Sequence, residues 1–114
     1  MKIKTQNLIG PALDWAIAKC EGVKIIQGAK NTLWLADEPD NDATEWSPST
    51  NWAQGGPIIE QEKIATKENR HNHWSAKIDT AGWMRGPTPL VAAMRCYVTS
   101  KMGDEIEVSD EAKA

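Results

Sequence analysis

The side chains best suited to holding a ligand sit in one stretch, Trp46-Ser47-Pro48-Ser49-Thr50-Asn51-Trp52-Ala53-Gln54-Gly55-Gly56-Pro57. Ser47, Ser49 and Thr50 offer short hydroxyl donors and acceptors, Gly55 and Gly56 let main chain approach closely, and Trp46 and Trp52 supply flat apolar walls. That mixture suits a small polar molecule with an aromatic ring, such as a nucleotide derivative. A second stretch, Gly82-Trp83-Met84-Arg85-Gly86-Pro87-Thr88, leads into a helix start. Arg85 there offers bidentate capture of phosphate or carboxylate, and Thr88 caps a helix whose open amides attract an anion. Arg95, within that helix, is either a further binding cation or a partner for an acid. The expectation is that both stretches converge on one hollow; the competing reading is that the tryptophans cover a sheet and the hydroxyls serve their own backbone.

Other chemistry is poorly served. No Gly-x-Ser-x-Gly elbow, no phosphate-cradling Gly-rich loop ending in Lys-Ser/Thr and no cysteine beside a sequence-near base occurs, so no catalytic residue is nominated. The acidic run Asp37, Glu38, Asp40, Asp42 and Glu45 contains Pro39 and lacks the central Gly of a calcium loop, which makes it a solvated loop. His71-Asn72-His73 brings two imidazoles without a third ligand and reads as a polar hairpin tip. Neither a metal nor a cofactor is expected.

Stepping outward to the whole chain, 114 residues suffice for a single core, expected over 1–108 with a mobile tail over 109–114. Thirteen Lys+Arg against sixteen Asp+Glu leave a net charge of -3, which argues against a broad cationic surface and so against nucleic acid as a partner. No apolar run reaches a membrane span and no secretory signal opens the chain, so it is expected in the cytosol and not at a membrane. Cys20 and Cys96 lack CxxC spacing and read as small buried thiols. Six Trp, one Tyr and no Phe make the aromatic usage unusual.

The elements that must position these residues follow from periodicity. Leu13, Ala16, Ile17 and Cys20 recur at helical spacing between Pro11 and Gly22, predicting a helix over 11–21. Leu90, Met94, Tyr97 and Val98 do the same between Thr88-Pro89 and Gly103, predicting a helix over 89–102. Small side chains on both (Ala12, Ala16, Cys20; Ala92, Ala93, Cys96, Ser100) predict close packing on each other or on a sheet. Val23–Ile26 and Thr32–Leu35 predict a hairpin turning at Gly28, and Ile64–Thr66 with Trp74–Ile78 a second one. Short alternating runs at 1–5 and 105–108 predict edge strands. The fold class is therefore α+β: two helices packed on a small, mainly antiparallel sheet, with a long Trp/Ser/Gly loop over 37–57 folded across one edge.

Three blocks add a resemblance: Leu8-Ile9-Gly10-Pro11-Ala12-Leu13-Asp14-Trp15-Ala16-Ile17-Ala18-Lys19-Cys20, then Ser47 to Glu60, then Gly86 to Cys96. In this order they resemble the NinX-like family of small proteins from tailed phages and prophages. The resemblance implies a phage accessory protein made in the cytoplasm of the infected bacterial host, and implies no catalytic residue. The segments between Glu38 and Glu45 and from Lys67 to His73 depart from the family pattern. The expected function is binding without catalysis: a small nucleotide-like ligand, in the manner of an anti-defence protein sequestering a host signal. The alternatives are an acidic surface that engages a host protein, or an accessory role in phage DNA metabolism. A homodimer is expected, because a short chain with an open sheet edge gains burial by pairing.

Overall fold

The computed structural model describes residues 2–36, 44–78 and 82–108. The acidic run over 37–42 and the tail over 109–114 lie outside the described residues.

The last helix is the centre of the molecule. α3, Pro89–Met102, starts where the Thr88 hydroxyl accepts the Val91 N–H at 3.0 Å and stops at Gly103, whose φ of 89° excludes most side chains. Eight of its residues are buried, including Leu90, Ala92, Ala93, Met94 and Val98, and they cover more than one side of the helix. Elements pack around it accordingly. α1, Gly10–Glu21, lies against α3 through Ala12, Ala16 and Ile17, so the small-residue rows meet as expected. α1 begins with Pro11 in its first turn and ends at Gly22 in the left-handed region (φ 69°).

The third helix was not expected. α2, Trp52–Glu62, occupies much of what reads in sequence as loop, and includes Gly55, Gly56 and Pro57. Asn51 caps it, its Oδ1 accepting the Ala53 N–H at 2.9 Å. Gly55 is buried against α3: a Cβ there would lie 2.6 Å from Leu90 Cδ1 and also meet the Pro48 carbonyl. Gly55 therefore marks close packing of helix on helix, and Pro57, exposed midway along α2, removes one backbone hydrogen bond. Two helices and a long loop are thus corrected to three helices.

The strands form three small antiparallel sheets instead of one. β1 (Lys2–Lys4) pairs with the last strand, Glu105–Glu107, joining the two ends of the fold. Thr5 locks that join: its buried hydroxyl donates toward the carbonyls of Gly103 and Asp104, at 3.0 and 3.1 Å. β2 (Ile25–Gln27) and β3 (Leu33–Leu35) form the first expected hairpin. Its turn is not at Gly28 but at Lys30 and Asn31, with φ 57° and 61°. Gly28 instead makes room for Trp34, whose Nε1 lies 2.5 Å from where a Cβ would be.

The third sheet carries the candidate site. β4 (Ala65–Glu68), β5 (Trp74–Lys77) and β6 (Met84–Gly86) run antiparallel in that order, with β7 being the Glu105–Glu107 strand already described. β4 and β5 are the second expected hairpin; β6 was read as loop. Gly86 lets β6 sit directly on α3, since a Cβ there would come within 2.6 Å of the Ala92 nitrogen.

Candidate functional site

Strand alternation divides the β4–β5–β6 sheet into two faces. On the inner face Ala76 is fully buried, and Trp74 and Met84 pack against the core around α3. The outer face carries the other parity. Lys67, Ser75 and Arg85 stand opposite one another in register, with Lys77 and Trp83 on one flank and Asn69 and His73 on the other. Ser75 is buried beneath this layer, its hydroxyl accepting from Asn69 Nδ2. The Trp83 indole is 45% exposed, with Lys67 Nζ 4.5 Å and Lys77 Nζ 5.6 Å from its ring centroid, so two ammonium groups lie within cation–π reach of one aromatic ring.

All of these side chains except Lys77 border a hollow of about 480 Å³, completed by Arg70. A second hollow, of about 260 Å³, shares His73 and Arg85 with the first and is closed by Gly86, Pro87 and Arg95. Among the described residues no carboxylate lines either one. Arg95 is held in place: its Nε donates to the Leu8 carbonyl at 2.7 Å and its Nη1 to the Arg85 carbonyl at 3.0 Å. Burial lowers its pKa, the ordinary consequence of taking a cation partly out of water. Arg95 thereby fastens the approach to α1 onto β6 and fixes the backbone that presents Arg85.

The residues expected to share a site with Arg85 lie elsewhere. Trp46, Ser47 and Thr50 border a separate hollow of about 290 Å³ beside Asp14, Lys30 and Glu45. Trp46 is only 8% exposed and its indole N–H donates to the Asp14 carbonyl at 2.8 Å. The Ser49 N–H donates to Asp14 Oδ1, also at 2.8 Å. Burial pushes the Asp14 carboxyl up to about 6, the Ser49 N–H and hydroxyl pulling it partly back and Glu45 pushing it up again. That hydroxyl lies beside the carboxyl yet meets no group in full hydrogen-bond geometry. Ser47 N–H is taken by Gln54 Oε1 at 2.7 Å, and Gln54 Nε2 by the Glu45 carbonyl at 2.8 Å. Apart from the Ser49 hydroxyl, these polar groups are engaged within the segment or with Asp14 of α1.

Ser49, Trp52, Gly55, Gly56 and Thr88 border none of the described hollows. Trp52 is 54% exposed at the start of α2. The anion-attracting helix start also needs correction. Thr88 accepts the Val91 N–H through its hydroxyl and the Ala92 N–H through its carbonyl, while Pro89 has none to give. Only the Leu90 amide is left in the first turn.

Sequence reasoning missed Lys67, Arg70, His73, Lys77 and Trp83. The signal was present as spacing by two, in Lys67/Asn69, His73/Ser75/Lys77 and Trp83/Arg85, but it becomes a single face only once β6 is recognised as a strand. Elsewhere, both cysteines are free thiols whose pKa is raised by burial, Cys20 to about 11. Among the described residues no three His, Cys, Asp or Glu side chains cluster as a metal site, and no helix is long and apolar enough to cross a membrane.

Comparison with known families gives a match over residues 4–101 to the family described as bacteriophage P22 NinX. The chain belongs to the NinX family. Comparison with curated proteins returned no match. In this NinX-family chain the matched span takes in all three helices except the last residue of α3, and all of the β4–β5–β6 sheet.

Proposed function

We propose that the protein acts by binding, that its ligand is a small phosphate-bearing molecule of nucleotide type, and that the outer face of β4–β5–β6 holds it. One observation supports this above the rest: Lys67, Arg70 and Arg85 border a hollow that holds an exposed indole and, among the described residues, no acid, on a protein whose net charge is -3. Cations brought together against the overall charge repel one another, an arrangement that a bound anion relieves. Arg70 and Arg85 are suited to bidentate phosphate contact, Lys67 to a point charge, and Trp83 to stacking on a base. The hollow falls within the size range of small-molecule sites. Sequestration of a nucleotide signal of host defence is the role that such binding without turnover fits.

The competing reading, an acidic surface for a host protein, draws on the acidic loop from Asp37 to Glu45 and on the acidic tail, of which residues 37–43 and 109–114 lie outside the described residues. Isothermal titration with a panel of nucleoside monophosphates tests the proposal. Saturable heat is expected for at least one, with affinity falling at least ten-fold in a Lys67→Gln/Arg85→Gln variant and weakening with salt. Absence of heat for every member, or a double variant that binds like wild type, overturns it.

A further inference from the structure

Two hollows meet at Arg85. The first has Lys67, Arg70 and Arg85 as its cations, the second Arg85 and Arg95, and His73 borders both. Along β6 the second hollow lies about Arg85, Gly86 and Pro87, so it starts at the Lys67–Ser75–Arg85 row and extends to roughly 7 Å beyond it at about 3.4 Å per strand residue. The second hollow has its own fixed cation. Arg95 uses Nε and Nη1 on the carbonyls of Leu8 and Arg85, which orients its guanidinium and leaves Nη2 without a protein acceptor among the described residues. A single phosphate cannot occupy both places. The phosphates of a pyrophosphate are too close together to reach from one to the other, whereas a sugar linking consecutive phosphates of an extended strand spans such a gap.

We infer that the ligand carries two phosphates separated by one nucleoside, one seated at Lys67, Arg70 and Arg85 and the other between Arg85 and Arg95. This deepens the function proposed above and rests on it. The unit recognised is a phosphodiester-linked dinucleotide bearing a terminal phosphate, whether it arrives as a free small molecule or as the end of a single strand. Trp83, on the flank of the first hollow away from Pro87, is placed to stack on the base next to the first phosphate.

The test uses the whole protein in titration calorimetry with four probes: thymidine monophosphate, thymidine diphosphate, the 5′-phosphorylated dinucleotide pTpT and a 5′-phosphorylated twelve-residue oligothymidylate. The inference expects pTpT to bind at least ten-fold tighter than the monophosphate, and the diphosphate to bind like the monophosphate. An oligomer equal to pTpT points to the free dinucleotide as the source, and a tighter oligomer to a strand end. Arg95→Lys keeps a charge but loses the fork, and should erase most of the pTpT advantage, read as the ratio of pTpT to monophosphate affinity. That ratio does not respond to a uniform loss of folded protein. Equal binding of monophosphate and pTpT overturns the inference and leaves the proposed function standing; binding of none of the four overturns both.

Discussion

Replacing Asp14 by Asn should stabilise the protein above neutral pH and leave it unchanged at low pH. Asp14 is 5% exposed, and burial raises its carboxyl from 3.8 to about 6. Between those values the folded chain holds a proton that the unfolded chain has released. Stability attached to this group is therefore complete below about pH 4, declines as pH rises through 6 and is flat above. A shift of about two units corresponds to about 3 kcal/mol. Asparagine keeps the oxygen that accepts the Ser49 N–H, but cannot ionise, so the variant does not lose that stability. By urea denaturation from pH 4 to 8, the variant minus wild-type difference should rise from near zero to about 3 kcal/mol, or roughly 10 °C in melting temperature for a chain of this size. Taking the difference cancels the other carboxylates. A difference that stays constant across that range would refute the burial argument.

Three further substitutions probe the packing that separates the two sides of the molecule. Gly55→Ala forces a methyl into Leu90 and the Pro48 carbonyl and should cost about 1–3 kcal/mol in chemical denaturation, the typical penalty of overpacking. Trp46→Phe leaves the buried Asp14 carbonyl without its indole donor and should cost about 1–3 kcal/mol, read by thermal unfolding. Thr88→Ala removes the cap on α3 and should lower stability by about 1 kcal/mol while leaving nucleotide affinity unchanged, since that hydroxyl is engaged with Val91. An affinity loss in Thr88→Ala would place the helix start in the site after all.

The first and last helices were legible because their stop and start residues do what their chemistry requires. Thr88, Pro89, Gly103, Pro11 and Gly22 each occupy the predicted place. α2 was hidden because Gly55-Gly56-Pro57 looks like a breaker, and only the approach of Pro48 and Leu90 shows why glycine is needed inside a helix. β6 was hidden for a related reason. At three residues it is too short to show alternation, and Gly86 and Pro87 punctuate it. Arg85 was singled out as a cation in a glycine-flanked stretch. Its neighbours were not, because their proximity is set by strand register across sequence gaps of about ten and twenty residues, which a linear reading does not see. Trp46 illustrates the opposite failure: composition marks a flat wall for a ligand, and tertiary contact turns it into a core residue hydrogen-bonded to α1.

The most direct test of the central claim is amide chemical-shift mapping of the labelled protein titrated with a 5′-phosphorylated dinucleotide. The perturbed amides should cluster at residues 67–77 and 83–87, and those of 44–50 should stay in place. Shifts gathered around Asp14 and Trp46 to Thr50, or none at saturating ligand, would contradict it.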